Sequence, residues 1–161
     1  MSNFIRQFDI RWSDLDPNRH VANTSYAEFM NETRMSFLTS HGLGQEFLEK
    51  HSFGPVIFSE EFHYIKEIMP GEKVFVDVEL LGTTEDYRFM KFAHCLYNHK
   101  GILSVYSEVF FGWFDLKTRK LRVPPEEVIT VTNGLAKAEG FKVFTKEELF
   151  STKVPNKSIE V

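Results

Sequence analysis

Asp16, Asn18 and His20 put a carboxylate, an amide and an imidazole on one short polar loop. The loop lies within Arg11 to Tyr26, Arg-Trp-Ser-Asp-Leu-Asp-Pro-Asn-Arg-His-Val-Ala-Asn-Thr-Ser-Tyr, which joins a strand pattern to the start of a long helical pattern. A helix start carries N–H groups with no intrahelical partner and the positive end of the macrodipole, and such an end polarises a carbonyl oxygen. A carboxylate base or nucleophile beside these donors is the minimum required for acyl transfer. A segment rich in Asp, Asn and Pro also builds turns that only cap a helix, so the residues alone leave both readings open.

Other chemistries find no support. No G-x-G-x-x-G, P-loop or G-x-S-x-G pattern occurs, which argues against the common dinucleotide, nucleotide and serine-hydrolase sites. The histidines at 20, 41, 51, 63, 94 and 99 include no i, i+4 pair of the kind that ligates zinc from one helix face, so no metal is expected. Cys95 stands alone in an apolar strand run and reads as a small buried hydrophobe. One cysteine builds no internal disulfide, which suits a reducing compartment.

The elements that must position the loop follow from periodicity. Phe4, Phe8, Ile10 and Trp12 give Asn3 to Ser13 the period-two contacts of a half-buried strand. Tyr26, Phe29, Met30, Thr33 and Phe37 recur at helical spacing on one face. Ser25 with Glu28 has capping-box spacing, with Asn23 and Thr24 as alternative caps, and His41-Gly42 supplies a stop. Alternation over Val74 to Leu80, and runs over Tyr87 to Tyr97 and Ile102 to Phe114 around the turn Asn98-His99-Lys100-Gly101, predict strands and an antiparallel hairpin. One strand, one long helix and about four strands in succession make an α+β pattern with the helix packed on an antiparallel sheet. Past Pro124-Pro125 the pattern weakens, leaving capping-box spacing at Thr145 and Glu148 for one short helix and a loose tail from Ser151 to Val161.

With 161 residues, one domain is expected, and 42% hydrophobic against 26% charged residues marks a folded chain. A net charge of −4 without a basic block argues against nucleic-acid binding. No apolar run approaches the roughly 18 residues of a membrane span. The N-terminus lacks the basic and apolar regions of a secretory signal, so a cytoplasmic location is expected. The 17 Phe residues fit a packed core and also an apolar channel for a hydrophobic ligand.

Asp14-Leu15-Asp16, His20-Val21, Asn23 and Tyr26 resemble the D-x-D-x-x-x-H-V-x-N-x-x-Y signature of hotdog-fold thioesterases, both the 4-hydroxybenzoyl-CoA thioesterase group and the plant acyl-ACP thioesterases. Tyr64 with Pro70-Gly71-Glu72, Phe111 to Thr118 and Pro124-Pro125-Glu126 extend the resemblance over most of the chain. It implies a hotdog fold, an antiparallel sheet wrapped around a long central helix, over residues 1–130, with 131–161 as a C-terminal extension. It implies an acyl-CoA or acyl-ACP thioesterase that needs no cofactor and works as a homodimer or homotetramer, its active site shared between subunits. Carried over, Asp16 is the catalytic carboxylate, with Asn18 and His20 in the site. Asn23 supplies the backbone N–H that polarises the thioester carbonyl, and Glu67 is a further acidic candidate after Tyr64-Ile65-Lys66. Where the acyl-ACP branch has a cysteine after that glutamate, this chain has Ile68, so a cysteine mechanism is closed. Arg88, Lys91, Lys117, Arg119, Lys120 and Arg122 read as coenzyme A phosphate ligands or as solvated turns. Two other functions fit the same fold. A hotdog hydratase uses D-x-N-P-x-H, against Asp14-Leu15-Asp16-Pro17-Asn18-Arg19-His20 here, and a non-catalytic module would bind acyl-CoA and sense it.

Overall fold

The computed structural model describes residues 4–151, so most of the tail expected after Ser151 lies outside the described residues. In chain order the elements are β1 (Phe4–Asp9), a 3-10 turn (Trp12–Asp14), α1 (Asn23–Ser40), α2 (Gln45–His51), β2 (Phe53–Tyr64), β3 (Lys73–Thr83), β4 (Phe89–Tyr97), β5 (Leu103–Asp115), β6 (Lys120–Leu121), α3 (Glu126–Asn133), β7 (Lys137–Val143) and α4 (Lys146–Leu149). The strands form one sheet in the order β1-β3-β4-β5-β2, with β6 on β5 and β7 on β3. All pairings are antiparallel except β3 with β7. The sheet curls around α1, which is the hotdog arrangement.

Period-two patterning decides which side of the sheet receives the helix. Val74, Val76, Val78 and Leu80 of β3 are fully buried and pack in the same clusters as Tyr26, Phe29, Met30, Phe37 and Leu38 of α1. Burying each such side chain contributes about 1.5–3 kcal/mol, so one face of α1 fixes the helix to the sheet. The opposite face of the sheet carries a second aromatic group, Phe58, Phe89, Phe110 and Phe150, with ring centroids 5.2 to 5.9 Å apart. Part of the phenylalanine content is therefore spent outside the helix-facing core.

Three local expectations change. Strand β1 ends at Asp9, and the chain turns where Arg11 meets Asp14, so Trp12 is 90% exposed. Strand β4 starts at Phe89, because Tyr87 sits in a turn at φ 57°. After α3, β7 lies along the edge of β3 beyond the stretch paired with β1: β1 pairs Lys73 to Val78, and β7 pairs Leu80 to Thr83. The short helix α4 forms with Thr145 and Glu148 as a reciprocal capping box.

Candidate active site

The loop before α1 is closed by its own backbone. Asp16 N–H donates to the His20 carbonyl at 3.0 Å and Arg19 N–H to the Asp16 carbonyl at 3.0 Å, with Arg19 at φ 68°. Val21 N–H donates to the Ile68 carbonyl at 2.9 Å, tying the loop to the segment after β2. Asp14 supports the loop from inside. Its buried carboxylate accepts from Arg11 N–H and Nη2, both at 2.7 Å. Burial alone would raise the Asp14 acid, but the Arg11 hydrogen bonds and charge outweigh it and hold it below the usual carboxylate range. The Asp14 carbonyl accepts Ala22 N–H at 2.8 Å and the Ser25 hydroxyl at 3.1 Å.

That last contact corrects the capping expectation. Ala22 is the N-cap, and no side chain caps α1, because the Ser25 hydroxyl is turned onto Asp14. The Ser25 N–H bonds the Ala22 carbonyl at 3.0 Å. The N–H groups of Asn23 and Thr24 thus have no hydrogen-bond partner among the described residues.

Asp16, His20, Asn23, Tyr26, Tyr64 and Glu67 line one open cleft of 310 Å³ at this helix start. Asp16 Oδ2 lies 3.4 Å from His20 Nδ1, and Asp16 Oδ1 accepts Asn18 N–H at 2.8 Å. The Asn18 amide lies 3.5 Å from Asp16 Oδ2 on the exposed side of the loop, outside the cleft lining. Asn18 therefore hydrogen-bonds Asp16 from outside the lining of the cleft. The far wall is Tyr64 at the end of β2, its ring centroid 5.5 Å from that of Tyr26. Burial first, then the neighbouring Tyr64, pushes the Tyr26 hydroxyl up to about 12, so it stays a neutral hydrogen-bonding group. Sequence reasoning did not single out Tyr26, Tyr64 or Lys66 as lining residues, although both tyrosines stand in the motif segments. Of the basic candidates, Arg88 lies 3.4 Å from Asp86 and Arg122 3.4 Å from Asp115. Cys95 is half-buried, and burial first, then Asp77, pushes its thiol up to about 11, far from a nucleophile.

A carboxylate, an imidazole and a helix start thus share one cleft in a hotdog fold. The thioesterase-like superfamily profile matches residues 10–132, and the chain belongs to that superfamily. Among solved structures, a Staphylococcus aureus protein characterised in complex with CoA matches with TM-score 0.77 and 20% identity, over 97% of this chain and 96% of that one. A 1,4-dihydroxy-2-naphthoyl-CoA thioesterase from Synechocystis matches with TM-score 0.74 and 15% identity, over 83% and 98%. A DHNA-CoA thioesterase from Staphylococcus aureus gives 0.70 and 19%, over 76% and 81%. Comparison with curated protein sequences finds no match. Among the described residues, no helix is long and apolar enough to cross a membrane.

Proposed function

We propose that this protein hydrolyses acyl-CoA thioesters, with Asp16 as the catalytic carboxylate. The observation that carries this reading is the shared cleft: Asp16, His20 and the first residue of an uncapped α1 line the same space. The thioester carbonyl enters over the helix start, where the Asn23 N–H takes the charge that develops on oxygen. Asp16 either attacks the carbonyl carbon, giving an acyl-aspartyl anhydride that water then cleaves to the free acid, or draws a proton from the water that attacks directly; in both routes the C–S bond breaks and the coenzyme A thiolate leaves as the thiol with a proton released from water. His20, 3.4 Å from Asp16, orients the carboxylate, and Asn18 holds it from behind. Glu67 and Lys66 at the cleft rim meet the polar part of the substrate. The CoA-bound structural relative supports coenzyme A as the carrier.

The working unit in this proposal is a homodimer or a dimer of dimers. Strand β2 pairs with β5 alone among the described strands and leaves its outer edge open with Ile57 and Phe58 over 40% exposed, at 47% and 43%. An open apolar edge favours pairing with another strand, and a second copy's β2 satisfies it symmetrically beside the cleft. The proposal is tested by a screen of short, long, branched and aromatic acyl-CoAs with thiol release as readout. Catalytic release from at least one class is expected, and no release from any class contradicts the reading.

A further inference from the structure

The loop that carries Asp16 borders two hollows. One is the cleft, and the other is a surface groove of 440 Å³ formed by Trp12, Leu15, Pro17, Arg19 and Pro70. Asp16 lines both, so the two adjoin at that residue. Trp12 is 90% exposed, yet its backbone is fixed. The Arg11 N–H donates to the buried Asp14 carboxylate at 2.7 Å, and the Leu15 N–H donates to the Trp12 carbonyl at 3.3 Å. The turn therefore presents the indole to solvent before any ligand arrives.

Arg19 stands on the same loop at φ 68°, a left-handed conformation uncommon for a residue with a side chain, and its N–H is tied to the Asp16 carbonyl. The ion pairs of this segment join Arg11 to Asp14 and Glu28, and Asp16 to His20. Arg19 has none among the described residues. Other basic side chains are already engaged: Arg88 lies against Asp86 and Arg122 against Asp115, while Lys91 sits over the Phe144 ring and Arg119 over the Phe114 ring. An open aromatic face and a planar cation along one shallow groove fit a ligand that has both a flat ring and anionic oxygens. A base stacks on an indole, and a guanidinium pairs phosphate through two parallel donors. An acyl chain laid in so open a groove would stay in water, and a carboxylate alone would leave the indole unused.

We propose that this groove holds the nucleotide end of coenzyme A, with the adenine stacked on Trp12 and a phosphate on Arg19, while the pantetheine arm passes Asp16 into the cleft. The spans agree. Trp12 and Asp16 are four positions apart, at most about 14 Å of chain, and a pantetheine arm extends over roughly 16 Å from sulfur to phosphate. The proposal rests on the acyl-CoA thioesterase reading for the identity of the carrier. It makes Trp12 and Arg19 determinants of carrier specificity, because a phosphopantetheine borne by a protein brings no adenine.

The test compares coenzyme A with 4′-phosphopantetheine, which lacks the nucleotide, by calorimetry on the full chain and on Trp12→Ala and Arg19→Gln. Both positions are exposed, so both variants are expected to keep the fold. In the parent, coenzyme A is expected to bind more than about tenfold tighter than phosphopantetheine, and each substitution to reduce that ratio about tenfold, the order of one stacked base or one charge-assisted contact. Equal or absent affinity for the two ligands in the parent, or a ratio unaltered in either variant, would overturn the proposal. A Trp12→Ala protein that changes mass in light scattering while the ratio holds would overturn it too, by assigning the indole to a contact between copies. Binding is read apart from turnover. A protein that holds coenzyme A through Trp12 and Arg19 but cleaves no thioester contradicts the catalytic reading alone, and acyl-CoA cleavage with an unaltered ratio contradicts this proposal alone.

Discussion

At the residue scale, two aspartates two positions apart have separate tasks. Asp14 is a buried brace, and Asp16 lines the cleft. Asp14→Asn is therefore expected to cost stability, about 1–3 kcal/mol for a buried charge-assisted contact with Arg11, visible as a lower denaturation midpoint. His20→Ala is expected to lower turnover on the order of 10²-fold, at the modest end of acid-base effects, with the fold kept. A fall in thermal stability in proportion to activity would instead mark His20 as a loop brace. The placement of Asp14, Asp16 and His20 on one loop was legible because the motif sets them within seven residues. Arg34 was not legible. It shares the buried i, i+4 row with Met30 and Leu38, but a lone arginine in a helix reads as a solvent-facing residue. Its burial is tolerable only through Glu60 and His94, 26 and 60 residues away in sequence.

At the scale of elements, strong periodicity carried the reading, and borrowed structure escaped it. Helix α1 and the β4–β5 hairpin were legible because their apolar positions repeat at 3.6 and at two, and Gly101 at φ 72° closes the hairpin turn. Strand β7, Lys-Ala-Glu-Gly-Phe-Lys-Val, buries little besides Ala138 and takes its strand form from the free edge of β3. That docking depends on Gly82, where an added Cβ would meet the Phe144 ring at 2.1 Å and the Lys142 carbonyl at 2.6 Å. Gly82→Ala should therefore loosen β7, at a cost of about 1–3 kcal/mol for forced overpacking. Amide exchange can check this at Leu80, whose N–H donates to the Ala136 carbonyl, and unaltered protection there would contradict it.

At the scale of the whole molecule, two buried groups give opposite pH dependences. Burial first, and Arg34 second, pushes His94 down to about 3 from 6.5. The unfolded chain takes up that proton as pH falls through 6.5 while the fold refuses it, so acidification costs stability. Burial pushes Asp77 up to about 6 from 3.8, which has the reverse sign: its contribution is fully present below 3.8 and lost as pH rises through 6. Between 6 and 3.8 the two slopes oppose each other. Asp77→Asn removes only the compensating one, so its denaturation midpoint should fall more steeply over that interval than the parent's, and parallel curves would contradict the assignment. Assembly is checked by light scattering at micromolar concentration, where a dimer or tetramer is expected and a monomer would contradict the shared β2 edge. The central claim, that the cleft at the start of α1 is where a thioester is cleaved, is tested most directly by Asp16→Asn on an acyl-CoA that the parent hydrolyses. Turnover should fall by on the order of 10² to 10⁴ while the affinity for a non-hydrolysable analogue is kept, because the amide preserves shape but removes both base and nucleophile. Turnover equal to the parent's would contradict the account.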